Sequence, residues 1–99
     1  MITAIRTTQA MPGKLLDTVA WAKEGAAIAK RVTGKELVVS VTFGGVISEL
    51  AWIGQYDTVA QLEEALTKGM ADREFANAMA KAEHLLIPGS TRDHIWKHI

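Results

Sequence analysis

The chain of 99 residues is long enough for one domain, expected over residues 1–99, and too short for two. Lys+Arg and Asp+Glu both count 11, so there is no net field to recruit nucleic acid or an acidic membrane surface, and neither is expected as a partner. Cysteine is absent, which excludes disulfides, thiol catalysis and cysteine-ligated zinc.

In chain order, Ile2–Gln9 (ITAIRTTQ) is rich in Ile and Thr and reads as a strand, although it carries the permanent charge of Arg6. The segment MITAIRTTQA lacks an apolar core of signal-peptide length, and no run of about 18 apolar residues occurs anywhere, so a cytoplasmic, non-membrane protein is expected. Pro12 lacks an N–H for strand pairing and suits the first turn of a helix. A helix is expected over Lys14–Val32, with Leu15, Val19, Ala22, Ala26 and Ala29 forming a narrow apolar stripe. Trp21 and Ile28 fall off that stripe, and Trp21 is expected to be half exposed, as interface residues often are. Gly34 is the candidate C-cap.

Glu36–Phe43 (ELVVSVTF) is a strong strand, and Val46–Gln55 reads as its hairpin partner across Gly44-Gly45. A two-residue turn would set Phe43 opposite Val46, Val41 opposite Ser48, Val39 opposite Leu50 and Leu37 opposite Trp52. That face is nearly all apolar and is expected to meet the helices, which makes core packing the default for Trp52. The other face mixes Val38, Ile47, Ala51 and Ile53 with Ser40, Thr42 and Glu49. Thr58 and Gln61 form a capping-box pattern opening a helix that Gly69 should end. Asp72 can cap a further helical stretch with Phe75, Met79 and Ala82 on one face, broken by Pro88-Gly89. Thr91–Ile99 is expected as the last strand.

The order strand, helix, strand, strand, helix, strand is the split βαβ arrangement. The expected fold is therefore α+β, ferredoxin-like βαββαβ, with a four-stranded antiparallel sheet and helices on one face. The mixed face is left open. Its apolar content calls for a cover, and a second copy packed sheet to sheet would supply one.

Three stretches resemble NIPSNAP-like proteins. IRTTQAMPGKLLD is similar to their first strand running into Pro-Gly-Lys, WIGQYDTVAQLEE to their third strand entering the second helix through Tyr-Asp, and MADREFANAMAKAEHLLIPGS to their tail helix. The motif-like positions are Arg6, Pro12-Gly13-Lys14 and Tyr56-Asp57. Two positions depart from the pattern: Thr8 stands where relatives often carry tyrosine, and Gly54 where tryptophan is expected, with Trp52 two residues earlier. The wider group is the dimeric α+β barrel superfamily, which includes cofactor-free monooxygenases, muconolactone-type isomerases and haem-degrading enzymes. The resemblance implies a homodimer in which two copies form the barrel, with a cleft in each half. It does not imply one reaction.

Arg6 is the first candidate site residue. A guanidinium inside a barrel needs a carboxylate, carbonyls or an anionic ligand. A structural role, paired with Glu49 or reaching outward at a sheet edge, is one expectation for Arg6, and contact with a ligand is the other. Ser40, Thr42, Glu49 and Trp96 complete the expected ligand-binding set. Arg92, His94, Trp96 and His98 alternate, so on a strand they share a face. The two histidines would then lie about 13 Å apart, too far to hold one ion, and no metal or cofactor is expected. His94 is the candidate general base, because imidazole titrates near neutrality. His84, at the end of the helical tail, is read as structural, and Tyr56 as lining a pocket mouth or packing at a junction. No Ser-His-Asp pattern, phosphate loop or nucleotide fingerprint occurs. The expected function is a small homodimeric protein with an internal cleft for a small, partly apolar, anionic or neutral molecule. In its enzymatic form it would be a cofactor-free oxygenase or isomerase. The competing reading is a non-catalytic interaction protein.

Overall fold

A computed structural model describes residues 1–99. Its elements run β1 (Ile2–Gln9), α1 (Leu15–Thr33), β2 (Val38–Val41), β3 (Glu49–Tyr56), α2 (Val59–Ala71), α3 (Arg73–Ala80), a 3-10 turn (Lys81–His84) and β4 (Arg92–Lys97). The sheet has the order β2-β3-β1-β4, with every neighbouring pair antiparallel. This is the expected α+β ferredoxin-like fold. No helix is long and apolar enough to cross a membrane.

The caps lie where the sequence places them. Gly34 closes α1 in the left-handed conformation at φ 75°, its N–H donating to the Lys30 carbonyl. The Thr58 side chain accepts from the Gln61 N–H at 3.2 Å, while the Gln61 side chain accepts from the Asp57 N–H at 3.1 Å. Gly69 does not end α2, which continues to Ala71. Asp72 makes the break: its carboxylate accepts from the Phe75 N–H at 3.0 Å and starts α3. That bond holds the Asp72 carboxyl below the usual carboxylate range.

The hairpin differs from its expected form. Val38 pairs with Ile53, Val39 with Trp52, Ser40 with Ala51 and Val41 with Leu50, two residues away from the register a Gly-Gly turn would give. A tight type I′ turn needs positive φ at both central residues, and here Gly45 has it (φ 122°) while Gly44 does not. The end of β1 holds the loop open instead. The Ala10 N–H donates to the Ser48 carbonyl at 2.9 Å, and the Gln9 side chain donates to the Ile47 carbonyl at 3.1 Å. Ser48 takes a positive φ of 62° in consequence of that looping path. Because the slip is by two, Val39, Leu50 and Trp52 still face the helices and Val38, Ser40, Ala51 and Ile53 still face away.

Trp21 also departs from expectation. It is buried, together with Ala22 and Leu50, and its indole N–H donates to the Ala78 carbonyl at 2.7 Å. Helix α1 packs against the sheet and also against α3, so it has two buried sides, and one stripe cannot account for Thr18, Trp21, Gly25 and Ile28. Trp21 meets Trp52 edge to face at 5.4 Å, and the Trp52 indole N–H donates to the Ala22 carbonyl at 3.1 Å. Thr8, fully buried opposite Leu50, shares a 2.9 Å hydrogen bond with the Thr91 hydroxyl and so ties the Pro88–Thr91 segment to β1.

Replacing Trp21 should test how far this packing holds the fold. Trp21→Ala is expected to cost about 3–5 kcal/mol, and Trp21→Phe about 1–3 kcal/mol because the Ala78 carbonyl loses its donor. Urea unfolding followed by circular dichroism measures both; a Trp21→Phe cost near zero would deny the hydrogen bond any part, and equal costs would deny the ring packing one.

Candidate functional site

The helix-facing side of the sheet is built from three cross-strand pairs in a row: Arg6 with Trp52, Ala4 with Gly54, and Ile2 with Tyr56. The middle pair is the smallest of the three. It leaves a low sheet floor, over which the Leu37 side chain and the Tyr56 ring lean into the room Gly54 provides. The roof is small above it as well, with Gly25 and Ala29 from α1 and Ala65 and Gly69 from α2. The result is a cleft of about 230 Å³, walled also by Leu37, Leu62, Phe75 and Met79 and open to solvent past the exposed Leu66, Met70 and Ile95. Gly54 is needed for this shape. A Cβ there would come within 2.7 Å of the Leu37 side chain and 3.2 Å of the Tyr56 ring and hydroxyl. The volume lies below the range of about 300–1,000 Å³ usual for drug-sized ligands, so a small molecule is the occupant it fits.

Arg6 sits at one end of the hollow. Its partner is Asp93 of β4, directly opposite across the strand pair. Nε donates to Oδ1 at 2.7 Å and Nη2 to Oδ2 at 2.9 Å, a two-pronged ion pair with both side chains about half exposed. The Asp93 hydrogen bond raises the guanidinium pKa, and the Arg6 hydrogen bond lowers that of the carboxyl. Glu49 is not the partner: it lies at the far end of the β1–β3 ladder, opposite Gln9, and on the other face of the sheet. Sequence reasoning could not find Asp93, because the β1–β4 register that brings it opposite Arg6 is a long-range pairing with no turn to announce it.

Tyr56 marks the other end, four residues along β3 from Trp52 and so about 13 Å away. It is 7% exposed, and burial raises its phenol pKa.

The remaining candidates do not gather here. Ser40, Glu49, His94 and Trp96 all project from the open face, as the pairings of Ser40 with Ala51, Gln9 with Glu49, Ile5 with His94 and Thr3 with Trp96 require. Thr42 lies in the β2–β3 loop, its hydroxyl donating to the Gly44 carbonyl at 2.7 Å. His94 and Arg6 therefore cannot grip one molecule within a protomer. His98 contacts the Thr3 hydroxyl at 2.8 Å, and His84 meets the neighbouring Glu83 carboxylate at 3.1 Å on the surface. No set of three or more His, Cys, Asp or Glu side chains is arranged to hold a metal ion.

No protein-family profile matches the chain, and no curated protein matches it in sequence. Solved structures do match. A NIPSNAP family protein of unknown function from Agrobacterium tumefaciens is 25% identical, with 99% of this chain and 87% of that one covered at a TM-score of 0.83. An uncharacterised NIPSNAP domain protein from Burkholderia xenovorans is 14% identical, covering 100% and 95% at 0.85. A protein assigned by inference as an antibiotic biosynthesis monooxygenase, from Nitrosomonas europaea, is 8% identical, covering 100% and 99% at 0.76. The fold is thus the ferredoxin-like α+β fold of NIPSNAP proteins and antibiotic-biosynthesis-monooxygenase-like proteins, in agreement with the resemblance carried by the sequence.

The Arg6–Asp93 pair makes stability pH-dependent in a defined direction. Asp93 has its pKa lowered on folding, so its contribution is present above the unfolded carboxylate value of about 3.9 and is lost as pH falls through the folded value. Both side chains are half exposed, so solvent screening limits the contribution to about 1 kcal/mol or less. Asp93→Asn should be less stable than wild type by that amount at pH 7, and in urea titrations the gap should narrow as pH falls below the unfolded carboxylate value and the Asp93 carboxyl takes up its proton. A gap that does not change with pH would contradict the pairing.

Proposed function

We propose that residues 1–99 act as one domain that assembles as a homodimer through the open sheet face, and that each protomer binds a small, mainly apolar molecule between its sheet and helices. The observation that carries this reading is the cavity of about 230 Å³, floored by Ala4 and Gly54, roofed by Gly25 and Ala29, and bearing polar groups only at its ends. Small residues on both walls keep space open that ordinary side chains would fill, in a core where close packing is the rule. Binding has better support than catalysis. No histidine lines the cavity, and its one carboxylate, Asp93, is occupied by Arg6. A cofactor-free oxygenation or isomerisation would need a proton acceptor that this arrangement does not leave free. In this reading His94, Ser40, Glu49 and Trp96 belong to the assembly face. That face is wide and apolar enough to need covering, with Val38 and Trp96 exposed beside Ile5, Ala51 and Ile53.

Two measurements test the two halves. Light scattering at micromolar concentration should give twice 10.7 kDa, and Val38→Lys or Ile53→Lys should shift it to monomer, since an unpaired buried charge costs on the order of 3–5 kcal/mol. Native mass spectrometry of untreated protein should show a retained small molecule that Gly54→Trp abolishes while the dimer persists; Ala65→Leu, which narrows the roof without touching the floor, is the milder control. An empty cavity in wild type, with neither substitution changing any bound mass, would favour the interaction-protein reading.

A further inference from the structure

The polar groups around the cavity can be accounted for one by one. The Thr33 hydroxyl donates to the Ala29 carbonyl at 2.7 Å and accepts from the Lys35 N–H at 3.1 Å. The Trp52 indole N–H is taken by the Ala22 carbonyl. The fork of Arg6 that would grip a carboxylate is filled by Asp93, leaving a pair of zero net charge. One group remains. Tyr56 is 7% exposed as a residue, lines the cavity and makes no side-chain hydrogen bond within the protein, and its hydroxyl oxygen keeps accessible surface. Its hydroxyl lies 3.2 Å from the point a Gly54 Cβ would occupy, so the missing side chain gives the phenol room to sit against the strand at the cavity wall.

We infer that Tyr56 is the specificity-determining residue of the cavity, and that it selects a neutral apolar molecule carrying one hydroxyl or carbonyl oxygen over an anion. This deepens the binding function proposed above and rests on it. A phenol can donate to a carbonyl or hydroxyl oxygen and accept from a hydroxyl, and it is poorly matched to a second charge in a largely apolar enclosure. Burial keeps the Tyr56 phenol protonated well above neutral pH, so it serves as a donor under ordinary conditions. Asp93 neutralises the charge of Arg6 that would attract an anion, although the Nη1 edge of the guanidinium keeps donors of its own. The cavity therefore sorts ligands by charge as well as by size.

Three probes of one shape separate the alternatives: toluene, p-cresol and p-toluate, titrated by calorimetry against wild type, Tyr56→Phe and Gly54→Trp. Wild type should bind toluene and p-cresol, with p-toluate weakest. Tyr56→Phe should lower the affinity for p-cresol relative to toluene by roughly three- to tenfold, the yield of one neutral hydrogen bond, with toluene itself unchanged. Gly54→Trp should abolish binding of both. If toluene binds and Gly54→Trp blocks it, but Tyr56→Phe leaves the p-cresol preference intact, the cavity reading stands and the assignment to Tyr56 falls. Tightest binding of p-toluate would overturn the neutral-ligand assignment in favour of Arg6 as an anion receptor. If no probe binds wild type, the cavity reading and this inference fall together.

Discussion

The register of β1 against β3 is the constraint on which the helix side of the molecule depends. It places Ala4 against Gly54 between two rows with large members, Arg6–Trp52 and Ile2–Tyr56. A shift by one residue would turn Arg6, Trp52 and Tyr56 to the open face. A shift by two would set Ala4 or Gly54 against a large residue and close the hollow. The register is held at one end by Thr8, buried opposite Leu50 and hydrogen-bonded to Thr91, and at the other by the buried Ile2–Tyr56 contact under Leu62. The cavity is thus a consequence of strand pairing, with the helices supplying a roof of matching small residues.

The charge on β1 follows the same logic. Arg6 shares a face with the apolar layer, yet β1 has β4 as its outer neighbour, and Asp93 is the residue directly across. Cross-strand opposition brings the two side chains together at little cost in chain entropy, because both backbones are already fixed by the ladder. The guanidinium stays half exposed, so its desolvation is modest and the pair is a positional device more than a source of stability. It closes one end of the cavity with a neutral polar unit.

The fold was readable because its signals are local and consistent. The boundaries of β1, the caps at Gly34, Thr58 and Asp72, and the Pro88-Gly89 break are properties of a few adjacent residues. Face assignment in the hairpin survived an error in its turn, since a slip of two preserves side-chain parity. What escaped depends on contacts distant in sequence. The hairpin loop is held by Gln9 and Ala10, some forty positions away. Trp21 is buried because α3 returns over α1, which a single-stripe reading of α1 could not foresee. The partner of Arg6 is 87 residues away, and only the sheet order reveals it. Gly54 was legible as an anomaly at a family position, but the hollow it makes required the opposing Ala4 to be known.

Strand β4 links the two faces. It is an edge strand, paired only to β1, with all six of its residues exposed. It sends Asp93 and Ile95 toward the cavity and His94 and Trp96 toward the open face. An edge strand held on one side is the least restrained part of a sheet, and an uncovered edge is a site for pairing with another chain. Under the homodimer proposed above, covering His94 and Trp96 would restrain β4 further, and with it Asp93, already paired with Arg6, and Ile95 along the cavity wall. Assembly would then sharpen the cavity without contributing any side chain to it. The coupling runs through a strand whose alternate residues serve the two faces, so a ligand that favours the ordered β4 would favour the dimer by the same free energy.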